Sequence, residues 1–441
     1  MKVRFFSLIL LLSLSGYSLF SQEVISVEQA IALAIEKNYD VQIAQTTAQS
    51  ASTDNSYAWA AFIPQINGLA SYRRTSNNQA VEYNGVRDTL NSQGRAKFDN
   101  MDASAQLTWV LFDGLTMFAT RERIAVIAAQ GELLVKEQMT NTIASVIAGY
   151  YDIVRQKQQL NAIQEQMAVS EERVKLAQRK LDVGTGAKPE LLQAKVDYNA
   201  FRAQQLRQDA LILQLKEQLN ALVDMQLPPG FEVTDTIAIN LGLKIDDIAS
   251  GIENSNFSLL RAKRQMEIAH ISLRERKGNL WPTLSFNAAY VYSETNNIVL
   301  IDPLRPAFNR TDGYNYGLSL NIPILRALNT RRLIEQEKIN INRQQIFYNQ
   351  QRTFVNVGLR NAYINYENAR QILLVEEENI LLARENVSIA LEGFRRGITT
   401  FIELRTAQQS LADAYNRLIS ARYLAKVAET EMLRLSGKLL R

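Results

Sequence analysis

The sequence of this chain contains an internal repeat that extends over most of its length. Asn38 and its aromatic neighbour recur as Asn256 and its aromatic neighbour, 218 residues later, and the same offset relates Pro64 to Pro282. A register kept over a long stretch is typical of a duplicated structural unit rather than of chance. The fold is therefore expected to contain two copies of one arrangement of elements.

Beyond the first segment the offset becomes 213 residues, and the change falls between Tyr72 and Ala103. The first copy is therefore expected to have the longer loop there. We predict a first repeat over residues 22–223, a connector over 224–243 that contains adjacent prolines and a glycine, and a second repeat over 244–441. The pairs at the second offset are Tyr150 and Tyr363, Gly184 and Gly397, Glu190 and Glu403, Leu191 and Leu404, and Ala194 and Ala407.

The first 21 residues follow the pattern of a secretory signal peptide. Lys2 and Arg4 precede an apolar run from Phe5 to Leu14, and small and polar residues follow near Ser21. The apolar run is too short to cross a bilayer. A buried N-terminal helix is the alternative, but the pattern favours export.

Composition excludes several kinds of chemistry. The chain has no Cys, so disulfides and thiolate metal sites are excluded. Its net charge of +4 is small and its charges are interspersed, which does not indicate a nucleic-acid partner. His270 is the only histidine and is interpreted as a surface or packed residue. No catalytic, cofactor or metal site is predicted.

Each repeat is expected to begin with a helix, Val27 to Ala58 in the first copy and Ile245 to Arg276 in the second. Two strands separated by a polar loop follow, and then a very long helical stretch, Leu115 to Leu181 or Leu328 to Phe394. About 67 residues at about 1.5 Å each would make a helix of about 100 Å, which suits an elongated molecule. A glycine-marked turn and a returning helix complete each copy.

The helices carry positions, most of them apolar, that are spaced alternately by three and four, as in a coiled-coil seam. In the long helices these are Leu160, Ile163, Met167, Ser170, Val174, Ala177 and Leu181, and Leu373, Glu376, Ile380, Ala383, Val387, Ala390 and Phe394. The first returning helix has Leu191, Ala194, Tyr198, Phe201, Gln205, Gln208, Ile212, Leu215, Leu219 and Leu222, and the second has Leu404, Ala407, Leu411, Ala414, Leu418, Ala421, Ala425, Ala428, Met432 and Leu435.

Four segments of about nine or ten residues alternate between apolar and polar side chains. That is the length and pattern of a transmembrane barrel strand. The apolar positions include Ile66, Gly68, Ala70 and Tyr72; Leu107, Trp109 and Leu111; Leu284, Phe286, Ala288, Tyr290 and Tyr292; and Leu318, Leu320, Ile322 and Ile324. An aromatic girdle at the membrane interfaces is predicted from Trp109, Trp281, Tyr290, Tyr292 and Tyr316. Ordinary packing is the alternative for any one of them.

Four strands cannot close a barrel, and open strand edges are not tolerated in lipid. Three subunits would supply a twelve-stranded β-barrel and a tunnel of twelve helices. The predicted fold class is thus mainly α with a transmembrane β part. A structural periplasmic coiled coil without a pore is the alternative, although it has no use for four amphipathic strands.

The sequence resembles the TolC family of outer-membrane efflux proteins over nearly the whole mature chain. The resemblance rests on the paired helix starts at Asn38 and Asn256, the strand entries at Pro64 and Pro282, and the strand exit Val110-Leu111-Phe112-Asp113-Gly114. It also rests on two tip segments, each followed by Glu-Leu and an alanine. The second strand exit, Pro323-Ile324-Leu325, lacks the Asp-Gly.

The resemblance implies a homotrimer in the bacterial outer membrane, with its helical tunnel in the periplasm, that conducts substrates passively. It would serve as the exit duct of a tripartite efflux or type I secretion system, docked to a periplasmic adaptor and an inner-membrane transporter. The resemblance does not select between drugs, metals and proteins as the substrate. The adaptor-docking tips would be Val183, Gly184, Thr185 and Gly186, and Arg396, Gly397, Ile398 and Thr399.

In the family, acidic residues after the second tip narrow the periplasmic entrance. Here Glu403 matches the first such position, Thr406 replaces the second, and Glu190 is the repeat equivalent of Glu403. A ring of three Glu403 carboxylates would select cations and raise the pKa of its members through mutual repulsion. The alternative is a salt bridge to Arg405 or Arg396 of a neighbouring subunit.

Overall fold

The computed structural model describes residues 24–83, 90–228, 230–302, 304–325 and 327–440. The predicted signal peptide, residues 1–21, lies outside the described residues. The chain forms two compact units. Of the described residues, a helical unit contains 24–48, Gly131–Ala262 and 348–440, and a strand-containing unit comprises those of Gln49–Gln130 and Lys263–Phe347.

The elements follow one another in the order that the repeat predicts. The first repeat contains β1 (Val24–Ile25), α1 (Val27–Lys37), α2 (Tyr39–Tyr57), a 3₁₀ helix (Ala58–Phe62), β2 (Gln65–Val81), β3 (Ser92–Phe112), α3 (Thr116–Asp182) and α4 (Lys188–Ala221). The connector contains β4 (Glu232–Val233), and the second repeat contains α5 (Ile245–Ala249), α6 (Ile252–Ser255), α7 (Phe257–Gly278), β5 (Thr283–Val299), β6 (Phe308–Asn321), α8 (Ala327–Arg396) and α9 (Phe401–Leu435).

The expected continuous helix from Val27 to Ala58 is wrong, because the chain breaks at Asn38. The Asn38 backbone is extended there, and its side-chain oxygen accepts a hydrogen bond from the Val41 amide at 3.3 Å. Its Nδ2 donates to the carbonyl of Leu222, beyond the end of α4, at 2.9 Å. A buried asparagine thus caps one helix and satisfies a carbonyl at the end of another.

The second repeat makes the same break at Asn256, so the expected helix from Ile245 to Arg276 is also wrong. The Asn256 Nδ2 donates to the carbonyl of Leu435 at 2.7 Å, and its Oδ1 accepts from the Leu259 amide at 3.0 Å. Gly251, with a φ of 82°, adds a further turn before α6. Three helices therefore replace the single helix expected here.

The predicted seams are buried, but not equally in the two repeats. All ten predicted seam positions of α9 are buried. Of the matching positions of α4, only Leu191, Ala194 and Leu219 are buried. The other seven positions of α4 are half-buried, so the returning helix of the first repeat buries its seam less completely than its counterpart does.

The four long strands form one antiparallel sheet in the order β2-β3-β5-β6. They contain 17, 21, 17 and 14 residues, so the expected length of nine or ten is wrong. Backbone pairing continues beyond the apolar alternation, for example where Asn77 lies opposite Ala96. Ladder hydrogen bonds need no apolar side chain, so the pattern marked only part of each strand. Strands β2 and β6 are the edges of this sheet among the described residues.

The connector belongs to the helical unit and packs there through its own short strand. Strand β4 pairs in parallel with β1, and Phe231 and Val233 are buried. The Tyr150 hydroxyl donates to the Ile25 carbonyl at 2.7 Å. In the second repeat the Tyr366 hydroxyl bonds the Asn240 carbonyl at 2.7 Å. Tyr366 therefore binds the connector in the second repeat as Tyr150 does in the first. The sequence offset instead pairs Tyr150 with Tyr363, which lies one helical turn earlier.

Candidate functional site

The two helical tips are built alike from the backbone upward. Gly184 and Gly397 have φ values of 75° and 77°, the left-handed conformation that glycine adopts at low cost. The amides of Thr185 and Gly186 donate to the Lys180 carbonyl at 2.9 and 2.8 Å. Those of Ile398 and Thr399 donate to the Gly393 carbonyl at 2.9 and 3.2 Å. Both glycines therefore end their helices as the sequence predicts.

Each tip also brings two side-chain positions so close together that one of them must be glycine. A Cβ placed on Gly186 would lie 2.8 Å from the Cβ of Lys180. The equivalent pair in the second repeat is Gly393 and Thr399, and a Cβ on Gly393 would lie 3.1 Å from that of Thr399. In the first repeat the glycine is the later residue of the pair, and in the second repeat it is the earlier one. Both tips nevertheless keep the same backbone turn.

The tips present apolar side chains to solvent. Val183 is 72% exposed and Ile398 is 78% exposed, and Ile402 on the first turn of α9 is 73% exposed. Thr185, Arg396 and Gly397 are exposed and Gly186 and Thr399 are half-buried. Lys180 links the two hairpins, because its Nζ donates to the Phe394 carbonyl at 3.2 Å and lies 3.9 Å from the Phe394 ring centroid.

Glu403 is the N3 residue of a capping box. Its Oε2 accepts from the Thr400 amide at 2.7 Å, and its own amide donates to the Thr400 hydroxyl at 3.2 Å. The hydrogen bond to the Thr400 backbone, followed by that to its side chain, lowers the pKa of the Glu403 carboxyl below its ordinary value. The spacing Thr-x-x-Glu is the sequence signature of this motif. This local role is a third one, beside the entrance ring and the salt bridge to an arginine that the sequence analysis considers.

The other entrance positions are arranged differently. Thr406 is exposed, and its hydroxyl donates to the Ile402 carbonyl at 3.0 Å. Glu190 stands in the first turn of α4, but the cap residue there, Ala187, has no side-chain oxygen. Within the chain, Arg396 pairs with Glu392 at 3.0 Å, and Arg405 lies 3.4 Å from Asp197.

A buried polar cluster behind the tips was missed by the sequence. Arg173 is 1% exposed, forms an ion pair with Asp197 and donates to Gln408 at 2.9 Å. Its guanidinium carbon lies 4.9 Å from the Phe401 ring centroid. Desolvation lowers the pKa of Arg173, partly offset by Asp197. The spacing of the seam gives no signal for this burial, because Arg173 lies one turn from Ser170 and is not itself a seam position.

The acidic run at 376–378 divides between the interior and the surface. Glu376 is buried and accepts from Arg417 at 2.8 Å, and Glu377 lies 3.4 Å from Arg422. Glu376 is thus buried at the seam position that its spacing predicts, and it keeps its charge beside an arginine. His270 is exposed. No set of three or more His, Cys, Asp or Glu suited to a metal ion occurs in the described part of the chain.

The sheet sorts its side chains as the alternation predicts. Residues directly opposite each other in an antiparallel pair lie on one face. One face has the row Ile66, Leu107, Ala288 and Tyr316, and the next row on this face contains Gly68, Ala105, Tyr290 and Tyr314. The other face has the rows Gln65, Thr108, Asn287 and Gly317, and Asn67, Gln106, Ala289 and Asn315.

The predicted girdle residues lie on this sheet or at its end. Trp109, Tyr290 and Tyr316 are 40%, 52% and 73% exposed, and Tyr292 is half-buried. Trp281 is 63% exposed and lies in the turn before β5. The Trp109 Nε1 donates to the Phe62 carbonyl at 2.9 Å, so its polar edge is satisfied while its ring stays accessible. None of the described helices is long and apolar enough to span a membrane.

Comparison with known proteins agrees with this geometry. The sequence model of the family "Outer membrane efflux protein" matches residues 30–224 and 249–438. The outer membrane efflux protein BepC of Brucella suis biovar 1 (strain 1330) is 24% identical over 439 residues, covering 97% of this chain and 89% of BepC. The outer membrane protein TolC of Salmonella enteritidis is 22% identical over 431 residues, covering 93% and 82%.

Among solved structures, the CmeC outer membrane channel of Campylobacter jejuni superposes with a TM-score of 0.77 at 14% identity, over 93% of this chain and 85% of that one. The match with the family extends over most of both repeats. The chain therefore belongs to the outer membrane efflux protein family. It is an outer-membrane protein whose function is efflux.

Proposed function

We propose that the protein is the outer-membrane exit duct of a tripartite assembly, formed by three copies of the chain. Each copy contributes its four strands to one twelve-stranded barrel and its helices to a periplasmic tunnel. Substrates pass through passively from a periplasmic adaptor and an inner-membrane pump. Efflux pumps and type I secretion systems would both deliver substrates through the same tips, so the proposal covers both.

The observation that carries the proposal is a sheet with two open edges and one apolar face. Strands β2 and β6 expose their backbone donors and acceptors, which no lipid can satisfy. The rows through Leu107 and Tyr290 are apolar across the sheet, whereas the row through Gln106 is mostly polar. Pairing β6 of one copy with β2 of the next closes the edges and places the apolar face toward lipid. Trp109, Trp281, Tyr290, Tyr292 and Tyr316 then form the girdle.

The tips are proposed as the adaptor-docking surface. Val183 and Ile398 are exposed apolar residues at turns whose backbone shape is fixed by Gly184 and Gly397. An exposed apolar side chain held on a rigid turn is suited to insertion into a groove of a partner. Thr185, Gly186, Arg396 and Thr399 complete the two tip surfaces.

Glu403 is proposed to line the periplasmic entrance together with Glu190 and Thr406. The capping bond keeps the Glu403 carboxylate ionised, because it lowers the pKa, and thus opposes the rise expected from three carboxylates in a ring. A salt bridge to an arginine of a neighbour is the second arrangement, but Arg396 and Arg405 have acidic partners within the chain.

Mass measurement in detergent and single-channel recording in planar bilayers test this function. We expect a species of three mature chains that forms cation-preferring channels, and a Glu403→Gln variant that loses cation preference with little change in conductance. Glu190→Gln tests the second carboxylate proposed at the entrance, and Glu217→Gln, at an exposed position near the other end of α4, is the control. A stable monomer, or a trimer that never conducts, would contradict the duct and favour a structural coiled coil.

A further inference from the structure

The charged residues of the four long strands are divided unequally between the two faces of the sheet. Among the residues of these strands, only Arg73 and Asp102 lie on the polar face, the face of Gln65. The others lie on the apolar face, the face of Ile66. These are Arg74, Arg95, Lys97, Asp99, Glu294, Arg310 and Asp312. A water-filled lumen hydrates charges readily, so their concentration on the opposite face needs a reason.

On β2 and β3 these charges begin where the apolar rows end. The apolar face of β3 stays uncharged over six rows, from the row of Leu284 to the row of Met101. Rows are two residues apart, so at about 3.3 Å per residue they span about 33 Å of strand. A tilt of about 40° reduces this to about 25 Å along the membrane normal, which is the height of the apolar band of an outer-membrane barrel. Asp99, Lys97 and Arg95 therefore lie outside the hydrocarbon.

This charged end of the sheet is the end that faces the exterior. The strands meet the helices at Gln65, Phe112, Thr283 and Asn321, and the two hairpins lie at the opposite ends. Because the helices lie in the periplasm, the hairpin ends point outward. With the same rise and tilt, Lys97 lies about 10 Å beyond Met101 along the membrane normal, and Arg95 lies about 15 Å beyond it.

The acidic residues of this face have partners on the same face. Arg74 donates from Nε and Nη2 to the two carboxylate oxygens of Asp99, each at 2.8 Å. Asp312 lies 3.4 Å from Arg310, and Glu294 accepts from the Tyr292 hydroxyl at 2.6 Å. Beyond the row of Asp99, the strand residues of this face carry basic charges only.

Those basic charges are the side chains of Arg95 and Lys97. Both are exposed, and neither has an ion-pair partner among the described residues. They are two residues apart on one strand, so they stand side by side along the same face. Asn78 lies directly opposite Arg95, and Ser76 lies directly opposite Lys97. Two free cations are thus flanked by an amide and a hydroxyl group.

We propose that Arg95 and Lys97 bind the phosphate groups of a lipid whose headgroup is a phosphorylated sugar, in the outer leaflet of the membrane. The inference rests on the closed barrel proposed above, which turns the apolar face toward lipid. The Arg95 guanidinium donates two parallel hydrogen bonds to a phosphate, and the Lys97 ammonium pairs with one as a point charge. The Asn78 amide and the Ser76 hydroxyl are suited to sugar hydroxyl groups.

The distance from the hydrocarbon favours a sugar headgroup over that of an ordinary phospholipid. The headgroup layer of a phospholipid bilayer adds about 5–7 Å on each side. Lys97 reaches back into such a layer with its long side chain, but Arg95 stands about 15 Å out and passes beyond it. A phosphorylated saccharide extends farther from the acyl chains, so it meets both residues.

Native mass spectrometry of the trimer in detergent tests this site with lipid A, a disaccharide lipid that carries two phosphates. We expect up to three bound molecules per trimer, one for each copy of the site. The double variant Arg95→Gln with Lys97→Gln should bind lipid A about tenfold more weakly, and each single variant about threefold. The single variants keep the test available if the double variant does not assemble.

Arg73→Gln is the matched control. Arg73 is equally exposed near the same end of the sheet but lies on the polar face, so this variant should bind lipid A as the natural protein does. Natural binding in the double variant, or an equal loss in Arg73→Gln, would overturn the proposed site.

Other lipids separate the phosphorylated sugar from simpler ligands. Dephosphorylated lipid A and phosphatidylglycerol should both bind more weakly than lipid A, because the first lacks the phosphates and the second places its phosphate too close to the hydrocarbon. Equal binding of either one contradicts the proposal. Inorganic phosphate should compete only in large excess, and competition at concentrations equal to those of lipid A would indicate a site for free anions instead.

The outcome for the duct is measured separately. The double variant should remain a trimer and conduct in planar bilayers as the natural protein does, because its changed residues face lipid. A natural trimer that conducts but binds no lipid A overturns this inference and leaves the duct standing. A natural protein that is monomeric overturns the proposed function itself.

Discussion

At the residue scale, the tips show how a duplicated structure keeps a backbone while its sequence drifts. Gly186 and Thr399 are equivalent positions, as are Lys180 and Gly393, and each tip has a glycine on one side of the same close approach. The offset alone aligned glycine with threonine at one of these positions and gave no reason for the difference. The reason is a contact between residues six apart, which the structure supplies.

Changing Gly186→Thr is expected to destabilise the first tip by about 1–3 kcal/mol, the usual cost of overpacking. The added Cβ would meet the side chain and backbone of Lys180. Lys180→Gly in the same chain reproduces the pairing of the second tip and should recover part of the loss. Limited proteolysis of the tip in all four members of the cycle measures this. Strictly additive effects of the two changes would show that the short distance between residues 180 and 186 does not constrain the turn.

The sequence around Glu403 shows its role in the capping box but does not decide its role at the periplasmic entrance. Because its pKa is lowered in the fold, the stability that it contributes is present above the ordinary carboxyl pKa and is lost as the pH falls through the lowered one. The second tip should therefore lose hydrogen-exchange protection in acid between about pH 5 and pH 3.

The matched controls for this pH dependence lie in the same chain. Glu403→Gln should keep the cap, since glutamine also serves in a capping box, and should abolish the pH step. The first tip, where Ala187 provides no cap, should show no comparable step from Glu190. A step of the same size in Glu403→Gln would assign it to another group.

At the element scale, the breaks at Asn38 and Asn256 explain why the sequence predicted the helical segments but not their ends. Helical periodicity runs across both asparagines, so the period alone hides the break that the family resemblance indicates by its helix starts. The sequence does not show that the two side chains also reach the carbonyls of Leu222 and Leu435. The long helices and all ten α9 seam positions needed only the period. The strands were recognised from their alternation, and their full length depended on backbone pairing through polar residues.

Asn256→Ala is expected to cost about 2–4 kcal/mol, from the lost cap and the carbonyl of Leu435 left without its partner. Asn38→Ala should cost a similar amount, because the same two interactions are lost. Asn55→Ala, at an exposed position on α2, should change stability by less than about 0.5 kcal/mol. Thermal melting followed by circular dichroism compares the three. If all three variants melted at the same temperature, the hydrogen bonds from Asn38 and Asn256 to the ends of α4 and α9 would not contribute to stability.

The buried Arg173 cluster marks the limit of reasoning by period alone. A seam pattern ranks positions by spacing, and the arginine is one turn from Ser170 on a helix with many exposed charges. Its burial depends on Asp197 and Gln408, which lie on other helices. Such a site becomes visible only when the partners' positions are known.

At the scale of the whole molecule, the chain is incomplete in two matching ways. Its sheet has two open edges among the described residues. The apolar row Ala162, Val169 and Leu176 on α3 is packed within the chain, whereas the row at the equivalent positions of α8, Val375, Leu382 and Ile389, is exposed. Both deficits are of a kind that another copy of the chain removes. Three copies were inferred from the strand number, because twelve strands suit a closed barrel and four do not.

Electron cryomicroscopy of the protein in lipid nanodiscs distinguishes a closed barrel of three copies from any other assembly. We expect a threefold-symmetric particle in which three four-stranded sheets close into one barrel by pairing β6 of each copy with β2 of the next. The helices should continue from it as a hollow tunnel. A particle of another symmetry, or one in which a single sheet stays open in the bilayer, would contradict it.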